Sequence, residues 1–144
     1  MVLAVDPGAR RIGLAVSDET GRVALPLETL ERAPGEGVEA LARRVAERAR
    51  LASAHRVVVG LPVRLDGREG PAARAARRLG QAVARASGLR VEYWDERLST
   101  VQAERALRAA GVPGRHRRGM VDRTVATLLL QSYLDAIASR RAGP

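Results

Sequence analysis

The chain opens on two short apolar runs, VLAVD (2–6) and RIGLAV (11–16), parted by Pro7 and Gly8, a pattern that predicts a hairpin beginning a sheet. RVALPLETL (22–30) predicts a third strand, at the sheet edge because Pro26 has no N–H to give to a ladder. The period then changes. Val38, Leu41, Val45, Ala49 and Ala52 recur at helical spacing within residues 36–52, with Arg and Glu between them, and predict an amphipathic helix. HRVVVGLP (55–62) is apolar without alternation, as in a strand buried on both faces. Residues 71–87 predict a helix with Pro71 in its favoured first turn, and LRVEYW (89–94) a fifth strand. Ser99, with Gln102 three residues on, reads as the cap of a third helix that Gly111 ends; a last helix is expected from Met120 to Ser139.

Three antiparallel strands followed by helix, strand, helix, strand and two helices define an α/β chain, a five-stranded mixed sheet flanked by helices. No repeat or linker divides it, so one domain is expected over residues 1–139. Residues 140–144 form a polar tail expected to fray, and residues 33–37 a connector. A chain of 144 residues buries a core without a metal or disulfide staple. It has no cysteine, no signal-like segment and no apolar run near the roughly 18 residues of a membrane span, which points to a cytoplasmic protein with no membrane partner.

Composition changes the picture through charge. All 25 basic residues are Arg and the net charge is +9, a field that attracts polyanions, nucleic acid first among them. A basic surface can also serve solubility alone. With no Phe, and only Tyr93, Trp94 and Tyr133 as aromatics, the chain lacks a platform for stacking successive bases, so recognition of phosphate and shape is expected. Tyr93 and Trp94 read as core residues.

The carboxylates carry the candidate chemistry. Asp6 ends the first strand on the face of Val2 and Ala4, before Pro7 and Gly8; it either bonds its own turn or, with Gly8 admitting a phosphate to the backbone, serves a site. Glu96 follows the fifth strand, where it either complements a helix dipole or pairs with Arg97, or meets Asp6 in the crevice beyond the strand ends. Asp122 precedes Val125, Ala126 and Leu129 by three, four and seven residues and so faces inward. That is either a helix-dipole contact or a buried acid in need of a cation. Three carboxylates together would form a hard-oxygen site for Mg²⁺ or Mn²⁺, while zinc is disfavoured without Cys and with two His. Paired divalent ions hydrolyse phosphodiesters without a protein nucleophile.

These segments resemble, over nearly the whole chain, the bacterial YqgF or RuvX family, described as Holliday junction resolvases or pre-16S ribosomal RNA nucleases. VDPGARRIGLAVSD (5–18) is similar to the family's opening hairpin, GLPVRLDGREGPAA (60–73) to its glycine-rich loop, DERLST (95–100) to its hexapeptide and VDRTVATLLLQSYLD (121–135) to its closing helix. The resemblance implies a ribonuclease-H-like fold, with Asp6, Glu96 and Asp122 as catalytic and metal-binding acids. Two positions depart from the pattern: Val125 stands where an Ala is usual, and Arg64 where a small polar residue is common. No obvious fourth ligand follows Asp122, which leaves Asp18 or Asp95 to assist.

Arg115, Arg117 and Arg118 lie in GVPGRHRRGMVD (111–122), read as a flexible basic segment that clamps phosphates. Gly8, Arg10, Arg11 and Arg97 are further candidates for nucleic-acid contact. The expected function is 5′-end processing of pre-16S ribosomal RNA, with structured RNA as partner and ribosome-assembly factors beside it. Resolution of branched DNA is the alternative, and the oligomeric state is open. Two other classes compete. An actin-like ATP-binding domain shares the Asp-x-Gly hairpin but needs two duplicated halves, and a non-catalytic RNA-binding factor would not need the acids.

Overall fold

The computed structural model describes residues 1–64, 66–96, 108–111 and 114–141, with the backbone alone for 114–119 and 121. In chain order the elements are β1 (Val2–Pro7), β2 (Arg11–Ser17), β3 (Ala24–Glu31), α1 (Val38–Leu51), β4 (Arg56–Leu61), α2 (Pro71–Ser87), β5 (Arg90–Asp95) and α3 (Gly114–Arg141). The strands form one five-stranded sheet in the order β3-β2-β1-β4-β5. The first three pair antiparallel, whereas β4 lies parallel to β1 and β5 parallel to β4. This is the mixed sheet that the pattern predicts, with β3 and its Pro26 on the edge.

Two cores cover the sheet, and the alternation of side chains decides which strand residue joins which. Leu3, Val5, Ile12, Leu14, Val57 and Val59 point to α1 and α2, where Leu41, Val45, Ala76 and Leu79 meet them. Val2, Ala4, Ala15 and Val58 point to the opposite face, under Ala126, Leu129, Leu130 and Tyr133 of α3. The continuous apolar run of β4 follows from burial on both sides; each fully buried Val or Leu contributes about 1.5–3 kcal/mol. Tyr133 fixes α3 at the far end of the sheet. Its hydroxyl donates to Glu92 Oε2 at 2.6 Å and accepts from Arg56 at 2.7 Å, and its ring meets Trp94 edge to face at 5.4 Å. Tyr93 packs on α2, its hydroxyl donating to the Arg77 carbonyl at 3.1 Å, so both aromatics expected in the core serve packing.

Helix α2 begins at Pro71 and ends before Gly88, which takes the left-handed conformation (φ 73°). Helix α3 differs from expectation at both ends. It starts at Gly114, six residues before Met120, because a run of Arg favours helix strongly enough to carry the backbone through Gly119. It also continues to Arg141, two residues into the expected tail. The helix expected to begin at Ser99 lies outside the described residues, except that Gly111, at φ 77°, donates to the Arg108 carbonyl at 3.0 Å as a helix terminator does. No helix among the described residues is long and apolar enough to cross a membrane.

Candidate active site

Asp6 is the last but one residue of β1, with its side chain on the α3 face. Its cross-strand partner on β2 is Gly13; on β4, one step beyond the Val5–Val59 pair, stands Gly60. Asp6 therefore sits between two positions without side chains; the backbone of α3 at Asp122 fills one gap and the Glu96 carboxylate the other. A Cβ on Gly13 would collide with the Asp122 carbonyl, so α3 lies directly against β2 at this point. A Cβ on Gly60 would collide with Glu96 Oε2 and come within 2.7 Å of Leu129. Glu96, just past β5, thus reaches across β4 to Asp6.

The two carboxyls share a hydrogen bond. Burial, then the hydrogen bond and the charge of Glu96, and lastly the charge of Asp122 push Asp6 up to about 10. Burial also raises Glu96, although its bond to Asp6 works in the opposite direction and Asp95 adds to the rise. Asp6 is the protonated donor and Glu96 the acceptor, since the bond raises the former and lowers the latter. Glu96 Oε2 is buried and has no hydrogen-bond partner.

Asp122 is held differently. Arg11 Nε donates to its Oδ2 at 2.8 Å, an ion pair only partly open to solvent. Because α3 begins at Gly114, Asp122 lies in its third turn, beyond the reach of the helix dipole, and the simple dipole reading of this acid falls. The donor set is all carboxylate oxygen, which suits a hard divalent cation, and Glu96 Oε2 is an orphaned acceptor that such an ion would satisfy. Among the described residues, however, no three His, Cys, Asp or Glu side chains stand together as a ready ligand group. Asp6 and Glu96 are joined by a proton, and Asp122, near enough for its charge to act on Asp6, is paired with Arg11.

The remaining candidates are placed as follows. Gly8 lies in the β1–β2 turn, where a Cβ would strike the Arg11 carbonyl; tight turn geometry already accounts for it. Arg10 is exposed on that turn. Arg115, Arg117 and Arg118 stand on the first turns of α3, so the basic segment read as a flexible loop is helical from Gly114 onward. Arg97 lies outside the described residues. Asp18 is far from the acids, in the β2–β3 turn at the other end of β2, where it accepts from Thr20, Arg22 and Val23; it is no fourth ligand. Sequence reading missed Gly13 and Gly60. The available signal was a glycine inside an apolar strand run, which marks close approach of another group.

The sheet order, with α1 and α2 on one face and α3 on the other, defines a ribonuclease-H-like fold. Its likeness extends to Thermus thermophilus RuvC, solved in complex with a Holliday junction substrate, over 95% of this chain and 94% of that one, with a TM-score of 0.57 and 21% identity. Within that class the chain belongs to the RuvX family, whose model, described as Holliday junction resolvase, matches residues 1–136. Among curated relatives, one from Anaeromyxobacter dehalogenans (strain 2CP-C) is 48% identical over 133 residues, covering 92% of this chain and 95% of its own. Another from Syntrophus aciditrophicus (strain SB) is 41% identical over 140 residues, covering 97% and 91%. Both are named "Putative pre-16S rRNA nuclease".

Proposed function

We propose that this protein is a metal-dependent nuclease that hydrolyses phosphodiester bonds, with the precursor of 16S ribosomal RNA as its substrate. The observation that carries this reading is the meeting of Glu96 with Asp6 across Gly60, beside Asp122, with an unpartnered oxygen left on Glu96. Buried carboxylates forced together are costly unless a proton or a cation separates them. Asp6, Glu96 and Asp122 would hold Mg²⁺ or Mn²⁺, which supplies Lewis acidity to the phosphodiester and to the attacking water. The chain's own part is to release the Asp6 proton and to free Asp122 from Arg11, whose guanidinium then has a phosphate as its next acceptor. The names of the relatives favour RNA. Resolution of a four-way DNA junction is the second reading, favoured by the family's description and by the fold shared with a resolvase.

Cleavage in Mn²⁺ of a precursor small-subunit ribosomal RNA fragment and of a synthetic four-way DNA junction separates the two, with Asp6→Asn and a chelator as controls. Cutting of the RNA alone, lost in both controls, is the expected result. Paired symmetric cuts in the junction would move the function to recombination, and cutting of neither would leave a binding factor.

A further inference from the structure

Besides Glu96 Oε2, one other buried side-chain atom among the described residues has no hydrogen-bond partner: Nε of Arg32. Arg32 follows β3 directly, and its backbone N–H donates to the Arg10 carbonyl at 2.9 Å, which lays it against the β1–β2 turn. Arg11, Arg44, Arg48 and Arg77 each meet a carboxylate within 2.9 Å. The Arg32 guanidinium makes no such ion pair among the described residues, although it is only partly exposed. A guanidinium with a buried donor left unmade is costly, and its planar fork matches a phosphate or carboxylate.

Two hollows open on Arg32. One runs between Pro7 and Gly8 of the turn and Ala72 and Ala76 of α2. The other lies beside Arg10 and Arg11. The first has alanine where α2 faces the turn, so no long side chain fills it. It begins one residue after Asp6, yet on the α2 side of the sheet, whereas the acids lie on the α3 side. A nucleic-acid strand that offers one phosphate to the acids and continues over the end of the sheet therefore arrives at Arg32.

We propose that Arg32 and the hollow between the β1–β2 turn and α2 form a subsite for a backbone phosphate of the substrate strand, next to the phosphate that is cut. This rests on the nuclease reading for its substrate, but binding tests it apart from cleavage. The guanidinium fork donates to two phosphate oxygens, and the alanines of α2 give the sugar room. No part of this subsite touches the reacting atoms, so its effect falls on affinity.

The test is binding of a fluorescent precursor ribosomal RNA fragment in chelator, where nothing is cut, across a series of KCl concentrations. Wild type, Arg32→Gln, Arg32→Lys and Asp6→Asn are compared, each checked for folding by thermal denaturation. Arg32→Gln is expected to weaken binding roughly tenfold and to reduce the slope of log affinity against log salt by about 0.7–0.9, the share of one phosphate contact. Arg32→Lys should restore the slope and part of the affinity. Asp6→Asn should retain binding while abolishing cleavage in Mn²⁺. An unchanged slope in Arg32→Gln, with or without lost affinity, would overturn the subsite and leave Arg32 a packing residue. If wild type binds the RNA but does not cut it in Mn²⁺, the nuclease reading fails while the Arg32 slope still decides the subsite; if wild type binds no RNA, the subsite fails as well.

Discussion

At the scale of the residue, the site depends on one proton. In the absence of a divalent ion Asp6 is pushed up to about 10, whereas in the unfolded chain it titrates as an ordinary carboxyl near 3.8. Between those values the folded protein keeps a proton that the unfolded chain has lost. The stability it confers is fully present below the unfolded pKa and drains away as pH rises through the window, at no more than about 1.4 kcal/mol per pH unit. With chelator present, the melting temperature should therefore fall between about pH 5 and about pH 9, and Asp6→Asn, neutral throughout, should flatten the profile. A wild-type profile already flat in chelator would show that Asp6 and Glu96 do not share a proton. That Asp6 and Glu96 meet was legible in the sequence, because each follows an apolar strand whose end opens on the same crevice. Arg32 was not legible, for a guanidinium without a partner looks, in sequence, like any of the other 24.

The elements were read from periodicity, and the reading worked where punctuation was unambiguous. Pro71 and Gly88 bracket α2 as expected. It failed at the start of α3, where Gly114 and Gly119 suggested a loop although the Arg residues between them form helix readily. Nor could periodicity show why two strands carry glycine at the level of Asp6. That depends on register, which pairs residues distant in sequence. The consequence is testable in Gly13→Ala. The added methyl meets the backbone of α3 at Asp122, which has no rotamer by which to yield. A loss on the order of 3 kcal/mol in urea unfolding, together with loss of cleavage, is expected. Gly37→Ala, whose Cβ would enter open space, should cost well under 1 kcal/mol. Equal stability of the two variants would mean that α3 does not sit against β2.

For the whole molecule, charge is the property that sequence shows most plainly and topology arranges. A net +9 predicts attraction to any polyanion; the fold places Arg10 and Arg32 together beside the β1–β2 turn and Arg115, Arg117 and Arg118 on the helix that carries Asp122. If these five each hold one phosphate, the slope of log affinity against log salt should be about −3.5 to −4.5. A slope near zero, measured by anisotropy with the RNA fragment, would separate the basic charge from binding.

Arg11 and Asp122 touch across a sequence separation of 111, and Gly13 opposite Asp6 waits for the same helix. Synthesis thus delivers Asp6 long before Asp122. Until α3 has emerged, Ala4, Ala15 and Val58 have no cover, and Asp6 has no Asp122 beside it. A chain without α3 holds an incomplete acid cluster, whatever part of the sheet it forms. Completion of that core and the arrival of Asp122 beside Asp6 are one event, so the cleavage proposed for these acids requires α3 in place.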